Sequence, residues 1–162
     1  MFAFLRIQMN NIEIDNIKEI SLLVVMDSIK LNKTVVYHDL FLLWSQAFEN
    51  MDIPIYMVFP DHKDELYSFY RFYNTDIHYI SDVGFINQLG CAQEKNVFGK
   101  KYKVISPRMY IIYNEKLIEE QKRINNKSIK KLYIKALELK FEKFIKKIKN
   151  SGDIPIISFI LL

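Results

Sequence analysis

The stretch TVVYHDLFLLWSQAFENMDIPIYMVFPDHKDELYSFYRFYNTDIHYIS, residues 34–81, decides the predicted fold. It alternates short runs of β-branched and aromatic residues, which are typical of strands, with stretches whose apolar residues recur at helical spacing. The pattern predicts strands at 34–37, 53–59 and 76–81, with helices at 40–50 and 62–74. Short connections between such elements favour parallel strands with right-handed crossovers. We therefore expect an α/β three-layer domain with a mainly parallel, Rossmann-like sheet.

The flanking sequence adds elements on both sides of this stretch. The apolar run at 20–26 favours a strand, and residues 91–103 are polar and predict a loop. The sequence also predicts a short helix at 82–89, strands at 103–106 and 110–113, a helix at 115–123, a long helix at 128–149 and a final strand or tail at 154–162. We expect an α/β domain over 1–105, a basic helical region over 106–150 packed on it, and an apolar end over 151–162.

Composition excludes several classes of protein. A chain of 162 residues is the size of one domain, and 50% hydrophobic residues exclude a disordered chain. The single Cys91 excludes an internal disulfide framework and a multi-cysteine zinc site. No apolar run is long enough to span a bilayer, and the first residues do not read as a secretory signal. The expected location is the cytoplasm.

Charge is divided unevenly along the chain. The net charge of +4 combines 7 Lys/Arg and 13 Asp/Glu in residues 1–99, 16 Lys/Arg and 5 Asp/Glu in residues 100–150, and Asp153 alone in the last 12 residues. One explanation is a basic surface for nucleic acid or an anionic membrane, formed by Lys130, Lys131, Lys135, Lys143, Lys146 and Lys147. The favoured explanation is a solvated helix face, because abundant Lys and Asn with rare Ala indicate a coding bias.

Polar residues follow the predicted strands. His38, Asp39, Asp61, His62, Ser81 and Asp82 fall at their carboxyl ends, where open parallel sheets bind ligands. Each aspartate could instead cap the helix that follows it. The chain contains no Gly-rich phosphate loop, no GxSxG and no HExxH motif. Cys91 has no positive cluster and no paired His near it in sequence, and it is expected to be inert.

Residues 34–82 resemble the start of a GT-A-type bacterial glycosyltransferase domain of surface polysaccharide synthesis. The resemblance lies in TVVYHD (34–39), SQAFE (45–49), IPIYMVFPD (53–61), ELYSF (65–69) and HYISD (78–82). It implies a nucleotide-sugar-binding protein, with the nucleotide near Tyr37, His38, Asp39, Asp61, Ser81 and Asp82. The family usually holds a divalent metal with an Asp-x-Asp element, which this sequence lacks. Metal ligands and catalytic residues are therefore unassigned, and whether the protein is an active transferase stays open.

Because the Asp-x-Asp carboxylates that would hold a metal are missing, the negative charge of the donor diphosphate would have to be stabilised by Lys100, Lys101, Lys103 or Arg108.

Two other functions stay open. The basic 100–150 segment would serve a non-enzymatic nucleic-acid-binding module. A small interaction protein would instead dock its long helix on a partner or an anionic membrane, through the seam Ile134, Leu137, Phe141, Phe144 and Ile148.

Overall fold

The centre of the sheet is a five-residue strand that is buried along its whole length. The structure is a computed structural model, and it describes residues 19–151. The elements are β1 (Ser21–Val25), α1 (Asn32–Asn50), β2 (Ile55–Phe59), α2 (Lys63–Tyr70), β3 (His78–Ser81), α3 (Val83–Gln88), β4 (Ala92–Val97), β5 (Lys100–Ile105), β6 (Arg108–Tyr113), β7 (Lys116–Gln121) and α4 (Asn126–Ser151).

The main sheet is mixed rather than mainly parallel. Within residues 19–151 it holds five strands in the order β3-β2-β1-β6-β7. β1 and β3 pair in parallel with β2, whereas β6 runs antiparallel to both β1 and β7. The predicted Rossmann-like sheet is therefore wrong. The predicted parallel unit matches the structure at β2 and β3 only, and the prediction missed the antiparallel β6–β7 hairpin that completes the sheet.

Residues 34–37 do not form a strand, because they lie in the first turns of α1. The strand that leads into α1 is β1, as the apolar run at 20–26 indicated. Thr34, His38, Phe41 and Phe48 are the buried residues of α1, whereas Val36 is 64% exposed. These buried positions follow the period of a helix. The β-branched residues at 34–36 favoured a strand locally, and packing of the helix against the sheet overrides that preference.

Two hairpins replace a predicted loop and a predicted helix. β4 and β5 pair through a turn in which Phe98 and Gly99 both have positive φ, at 50° and 78°. β6 and β7 pair through Asn114 and Glu115, at 50° and 64°. Two successive residues with positive φ are the signature of the type I′ turn that matches the twist of paired strands. The Glu-rich stretch after residue 115 resembles a helix in composition, but pairing with the buried β6 makes it a strand.

The sheet carries a core on each face. On one face, α1, α2 and α4 contribute Phe41, Phe48, Leu66, Ile129 and Leu132. On the other face, α3 and the start of the β4–β5 hairpin contribute Phe85, Ile86 and Cys91. Alternate residues of β1 serve the two cores, Leu22 and Val24 on the first and Leu23 and Val25 on the second. β1 is continuously apolar because it is covered on both sides.

The last described element, α4, packs on the sheet beside α1. Trp44 Nε1 donates a hydrogen bond to Asn126 Oδ1 at 3.0 Å, which joins the middle of α1 to the start of α4. The predicted boundary after residue 105 falls between β5 and β6, and the strands beyond it belong to the same sheet as β1. The predicted final strand at 154–162 lies outside the described residues. No helix within 19–151 is long and apolar enough to cross a membrane.

The packing between α1 and α4 gives a prediction for stability. Phe48 is fully buried and its ring lies 5.0 Å from that of Tyr133, centroid to centroid. We expect Phe48→Ala to lower the free energy of unfolding by about 3–5 kcal/mol, because it leaves a cavity in the core. Leu43→Ala is the matched control on the same helix, since Leu43 is 81% exposed, and should change it by about 0.5 kcal/mol or less. Urea unfolding followed by circular dichroism measures both, and equal losses would contradict this packing.

Candidate functional site

A cleft of about 900 Å³ opens where β1 ends, between the start of α1 and the β4–β5 hairpin. Its lining is a mixture of lysines, apolar side chains and one carboxylate. The lining residues that matter here are Asp27, Lys30, Lys33, Lys95, Tyr102 and Lys103. The carboxyl end of a central strand beside a helix N-terminus is the place where α/β sheets most often bind ligands.

The base of this cleft is held by Asp61, which follows β2 and is only 7% exposed. Its carboxylate accepts hydrogen bonds from Ser28 Oγ at 2.7 Å and from the Ile29 backbone N–H at 3.1 Å. Its backbone carbonyl accepts a hydrogen bond from Ser81 Oγ. One residue therefore links the loops at the carboxyl ends of three parallel strands, and it fixes the chain that leads into α1.

The start of α1 is electrostatically positive. Leu31 is the N-cap residue and provides no side-chain cap, and the first turn contains no acidic residue. Helix N-termini carry a partial positive charge from unpaired N–H groups, which an acidic or capping side chain normally offsets. Here Lys33 occupies the first turn instead, so the local charge is reinforced rather than neutralised.

The lysines of the cleft are largely unpaired. Lys30 Nζ lies 3.4 Å from Glu65 Oε2, and both side chains are more than half exposed. Lys33, Lys95 and Lys103 form no ion pair with any residue in the described part of the chain. Among residues 19–151, Asp27 is the one carboxylate that lines the cleft, and it is mostly buried. The cleft therefore offers positive charge to an anionic group.

The structure brings only some of the predicted site residues to the strand ends. Asp61, Ser81 and Asp82 lie there, and Asp82 caps α3 by accepting from the Phe85 N–H at 3.0 Å. His62 caps α2 in the same way, through the Asp64 N–H. Tyr37, His38 and Asp39 do not lie at a strand end, because they belong to the interior of α1. The six residues predicted to bind a nucleotide therefore do not form one pocket.

His38 is a buried core residue. Its Nε2 lies 2.5 Å from Tyr79 Oη, and the rings of Phe69 and Tyr73 pack edge-on against it with centroids 4.9 and 4.8 Å away. Burial lowers the pKa of His38 to about 4 and raises the pKa of Tyr79, so both side chains are neutral at pH 7. Its Nδ1 has no hydrogen-bond partner among the described residues, nor has Thr34 Oγ1 one turn earlier.

The one thiol of the chain lies away from the cleft. Cys91 is fully buried in the core on the α3 face of the sheet, with Sγ 3.9 Å from Tyr110 Oη. Burial raises the pKa of the Cys91 thiol, so it stays protonated at neutral pH. The expectation that Cys91 is inert agrees with this environment.

The predicted basic surface is the solvated side of α4. Lys130, Lys131, Lys143, Lys146 and Lys147 are exposed and Lys135 is half-buried. At about 100° per residue these six positions spread around more than half of the helix circumference rather than along one stripe. Of the lysines and arginine suggested for a diphosphate, Lys103 lines the cleft, whereas Arg108 pairs with Glu120 at 3.1 Å.

A smaller cavity of about 350 Å³ lies at the other end of the sheet and has the opposite charge. Its rim carries Glu19, Glu49, Asp52 and Asp76, at the amino ends of the parallel strands. A hydrogen bond with Asp76, and then the charge of that residue, raise the pKa of Glu49. Across residues 19–151 no group of three or more His, Cys, Asp or Glu side chains is arranged to hold a metal ion.

Sequence reasoning missed Lys30, Lys33 and Lys95 as cleft residues. It placed Lys33 in a turn before a strand, and it placed Lys95 in a loop. Helical periodicity counted from Thr34 would have put Lys33 in the first turn of a helix. The position of Lys95 depends on the β4–β5 pairing, which no local signal before residue 98 indicates.

Comparison with known proteins gives the fold a precedent. No family model matches the chain, and no curated protein matches it by sequence. Solved structures do match. The bacterioferritin comigratory protein of Xanthomonas campestris has a TM-score of 0.64 at 13% identity, over 74% of this chain and 81% of that one. Reduced Prx3 from Vibrio vulnificus has a TM-score of 0.61 at 12% identity, over 79% and 88%. A putative thioredoxin from Neisseria meningitidis has 0.55 at 10% identity, over 85% and 89%.

These matches identify a thioredoxin-like fold of the kind found in peroxiredoxins. The resemblance to a GT-A glycosyltransferase is therefore wrong, and with it the assignment of a nucleotide-sugar site. The nucleic-acid-binding alternative and the anionic membrane surface find no support among these neighbours either. The quoted residues at 34–82 matched because strand–helix alternation is common to many α/β folds.

The buried histidine gives a prediction for pH dependence. An unfolded histidine titrates near pH 6.5, whereas folded His38 has a pKa of about 4. The unfolded chain therefore binds the extra proton first, and stability is lost as the pH falls from 6.5 towards 4, by about 3 kcal/mol in total. His38→Gln should remove the part of this stability loss that comes from protonation of residue 38 in the unfolded chain. Urea unfolding of both proteins at pH 7.5 and pH 4.5 measures it, and identical losses would show that His38 is not the group that titrates.

Proposed function

We propose that this protein is a thioredoxin-fold binding protein that works without thiol chemistry. Its site is the cleft between α1 and the β4–β5 hairpin, and its ligand is an acidic, partly apolar segment of a partner protein. The observation that carries the proposal is a cleft with four lysines and a bare helix N-terminus, in a chain whose one cysteine is buried elsewhere. We further propose that it acts in the cytoplasm.

Thiol peroxidase activity is the main competing function, since one structural neighbour is described by its alkyl peroxide reduction. That chemistry needs a thiolate within reach of the peroxide, because the thiolate is the nucleophile that attacks the peroxide oxygen. Cys91 is 0% exposed and its pKa is raised by burial. A structural match at 13% sequence identity indicates a shared fold but does not indicate a shared activity. The geometry of this chain therefore favours binding.

Charge supports an acidic ligand. Lys33, Lys95 and Lys103 come from three elements, α1, β4 and β5, and all line the cleft beside the positive end of α1. Carboxylates bound there would gain charge-assisted hydrogen bonds with lysine ammonium groups and with backbone N–H groups. Exposed pairs of this kind contribute little individually, so several must act together.

Apolar surface supports a peptide rather than a small anion. Val97 is 46% exposed and Tyr102 is 50% exposed, and both line the cleft. Phe98, at the tip of the hairpin, is fully exposed. Exposed aromatic and aliphatic residues next to a charged opening are typical of protein–protein contacts. A peptide that contains both glutamate and leucine can pair with the lysines of the cleft and pack on its exposed apolar side chains.

A peptide-binding experiment tests this proposal. The probe is a fluorescein-labelled 12-residue peptide of alternating glutamate and leucine, and a lysine–leucine peptide is the matched probe of opposite charge. We expect the acidic peptide to bind and the basic peptide not to bind. The affinity for the acidic peptide should fall as the salt concentration rises. Lys33→Glu together with Lys103→Glu should weaken binding by about tenfold or more, equivalent to about 1.4 kcal/mol. Fluorescence anisotropy measures each dissociation constant.

The control variant is Lys131→Glu with Lys143→Glu, which makes the same charge change on the exposed side of α4. It should bind the acidic peptide within about twofold of the unmodified protein, because long-range effects of exposed charges are screened. Equal weakening by both variants would show that net charge, and not the cleft, attracts the peptide. Equal binding of the acidic and basic peptides would also refute the proposal.

A further inference from the structure

An apolar surface lies at the other end of α1 and shares no lining residue with the cleft. A groove of about 660 Å³ runs between the end of α1 and the second half of α4. It is lined by Met51, Leu137, Glu138, Lys140, Phe141 and Phe144. We call this surface the α4 groove.

The α4 groove has a rigid wall. Lys140 Nζ donates hydrogen bonds to the backbone carbonyls of Met51 and Asp52, at 2.6 and 2.7 Å. One ammonium group thereby holds α4 against the turn that follows α1. It also satisfies carbonyl groups that the end of a helix leaves without partners. The groove is therefore a preformed feature of the folded domain.

Three large apolar residues of the groove are exposed. Phe141 is 41% exposed, Phe144 is 44% exposed and Met51 is 41% exposed. These side chains lie next to one another, whereas scattered exposed apolar residues would need no explanation. A contiguous apolar patch marks a surface that something covers.

We propose that the segment 152–162 of this same chain covers the α4 groove. Its sequence is GDIPIISFILL, in which Asp153 is the one charged residue and seven residues are Ile, Leu or Phe. It follows directly after the last residue of α4, Ser151. It begins with Gly152, and a glycine just after a helix is the residue that most readily reverses the chain direction.

The segment is long enough for this role. At about 1.5 Å per residue, Phe144 lies about 10 Å back from Ser151 along α4, and Leu137 about 21 Å back. Residues 154–162 span up to about 30 Å when extended. The segment therefore reaches the full length of the groove after one reversal. Pro155 suits an extended chain, since it fixes φ and cannot continue the helix.

Charge disfavours a second copy of the protein as the occupant. The second half of α4 carries Lys140, Lys143, Lys146, Lys147 and Lys149. Two such helices side by side would bring like charges together, which opposes association. The segment 152–162 brings no positive charge and brings Asp153 to the lysine-rich end of the helix.

Photo-cross-linking of the full chain tests the proposal. Phe159→p-benzoylphenylalanine places a photoreactive ketone within the segment, and it reacts with C–H bonds that it touches. After irradiation at low protein concentration, we expect an intramolecular cross-link to Met51, Leu137, Phe141 or Phe144, located by mass spectrometry in the monomer band. Phe72→p-benzoylphenylalanine is the control, since Phe72 is 79% exposed outside the groove, and it should give no cross-link to these residues.

Other outcomes overturn the proposal. A cross-linked dimer as the main product would make a second copy the occupant. No cross-link, or cross-links only to residues outside the groove, would leave the segment elsewhere. Phe141→Ser with Phe144→Ser, added to the Phe159 variant, should lose the groove cross-link while circular dichroism shows the fold intact. If that variant does not fold, the parent experiment with its control still decides.

Discussion

The buried carboxylate of Asp61 is the interaction on which the site depends. It accepts hydrogen bonds from Ser28 Oγ and from the Ile29 N–H, and so it fixes the loop between β1 and α1. Because that loop is fixed, α1 begins at Asn32 and its positive end faces the opening beside the β4–β5 hairpin. A buried carboxylate with such partners is costly to disturb, since loss of its donors would leave a charge without compensation. Lys30 and Lys33, which follow this loop, are therefore presented from a fixed backbone.

The chemistry of the chain follows from where its residues lie on this fold. The cleft has lysines and exposed apolar side chains, and the thiol lies in the core on the α3 face of the sheet. The fold of a structural neighbour described by its alkyl peroxide reduction here carries a lysine-lined cleft and a buried thiol, an arrangement that supports the proposed noncovalent binding. The acidic cavity at the amino ends of the strands gives the two ends of the sheet opposite charge.

The sequence predicted local features of this structure better than distant ones. β2, β3 and α4 were predicted near their observed bounds, because each has a strong apolar pattern of its own. The sequence predicts a strand at 34–37 because Thr34, Val35 and Val36 are β-branched. The structure forms a helix there, and Thr34 and His38 are buried on the side of that helix that packs on the sheet. β7 was mistaken for a helix because its identity depends on pairing with β6. The site was misplaced for the same reason, as Lys95 reaches the cleft only through the β4–β5 hairpin.

If this protein acts without its thiol, as we propose, it should not consume an alkyl hydroperoxide. The measurement follows loss of tert-butyl hydroperoxide in the presence of dithiothreitol, for the unmodified protein and for Cys91→Ser. We expect both proteins to match the rate measured without protein, because the Cys91 thiol is buried and protonated. Peroxide consumption that exceeds this rate and disappears with Cys91→Ser would contradict it, and would make the protein a thiol peroxidase.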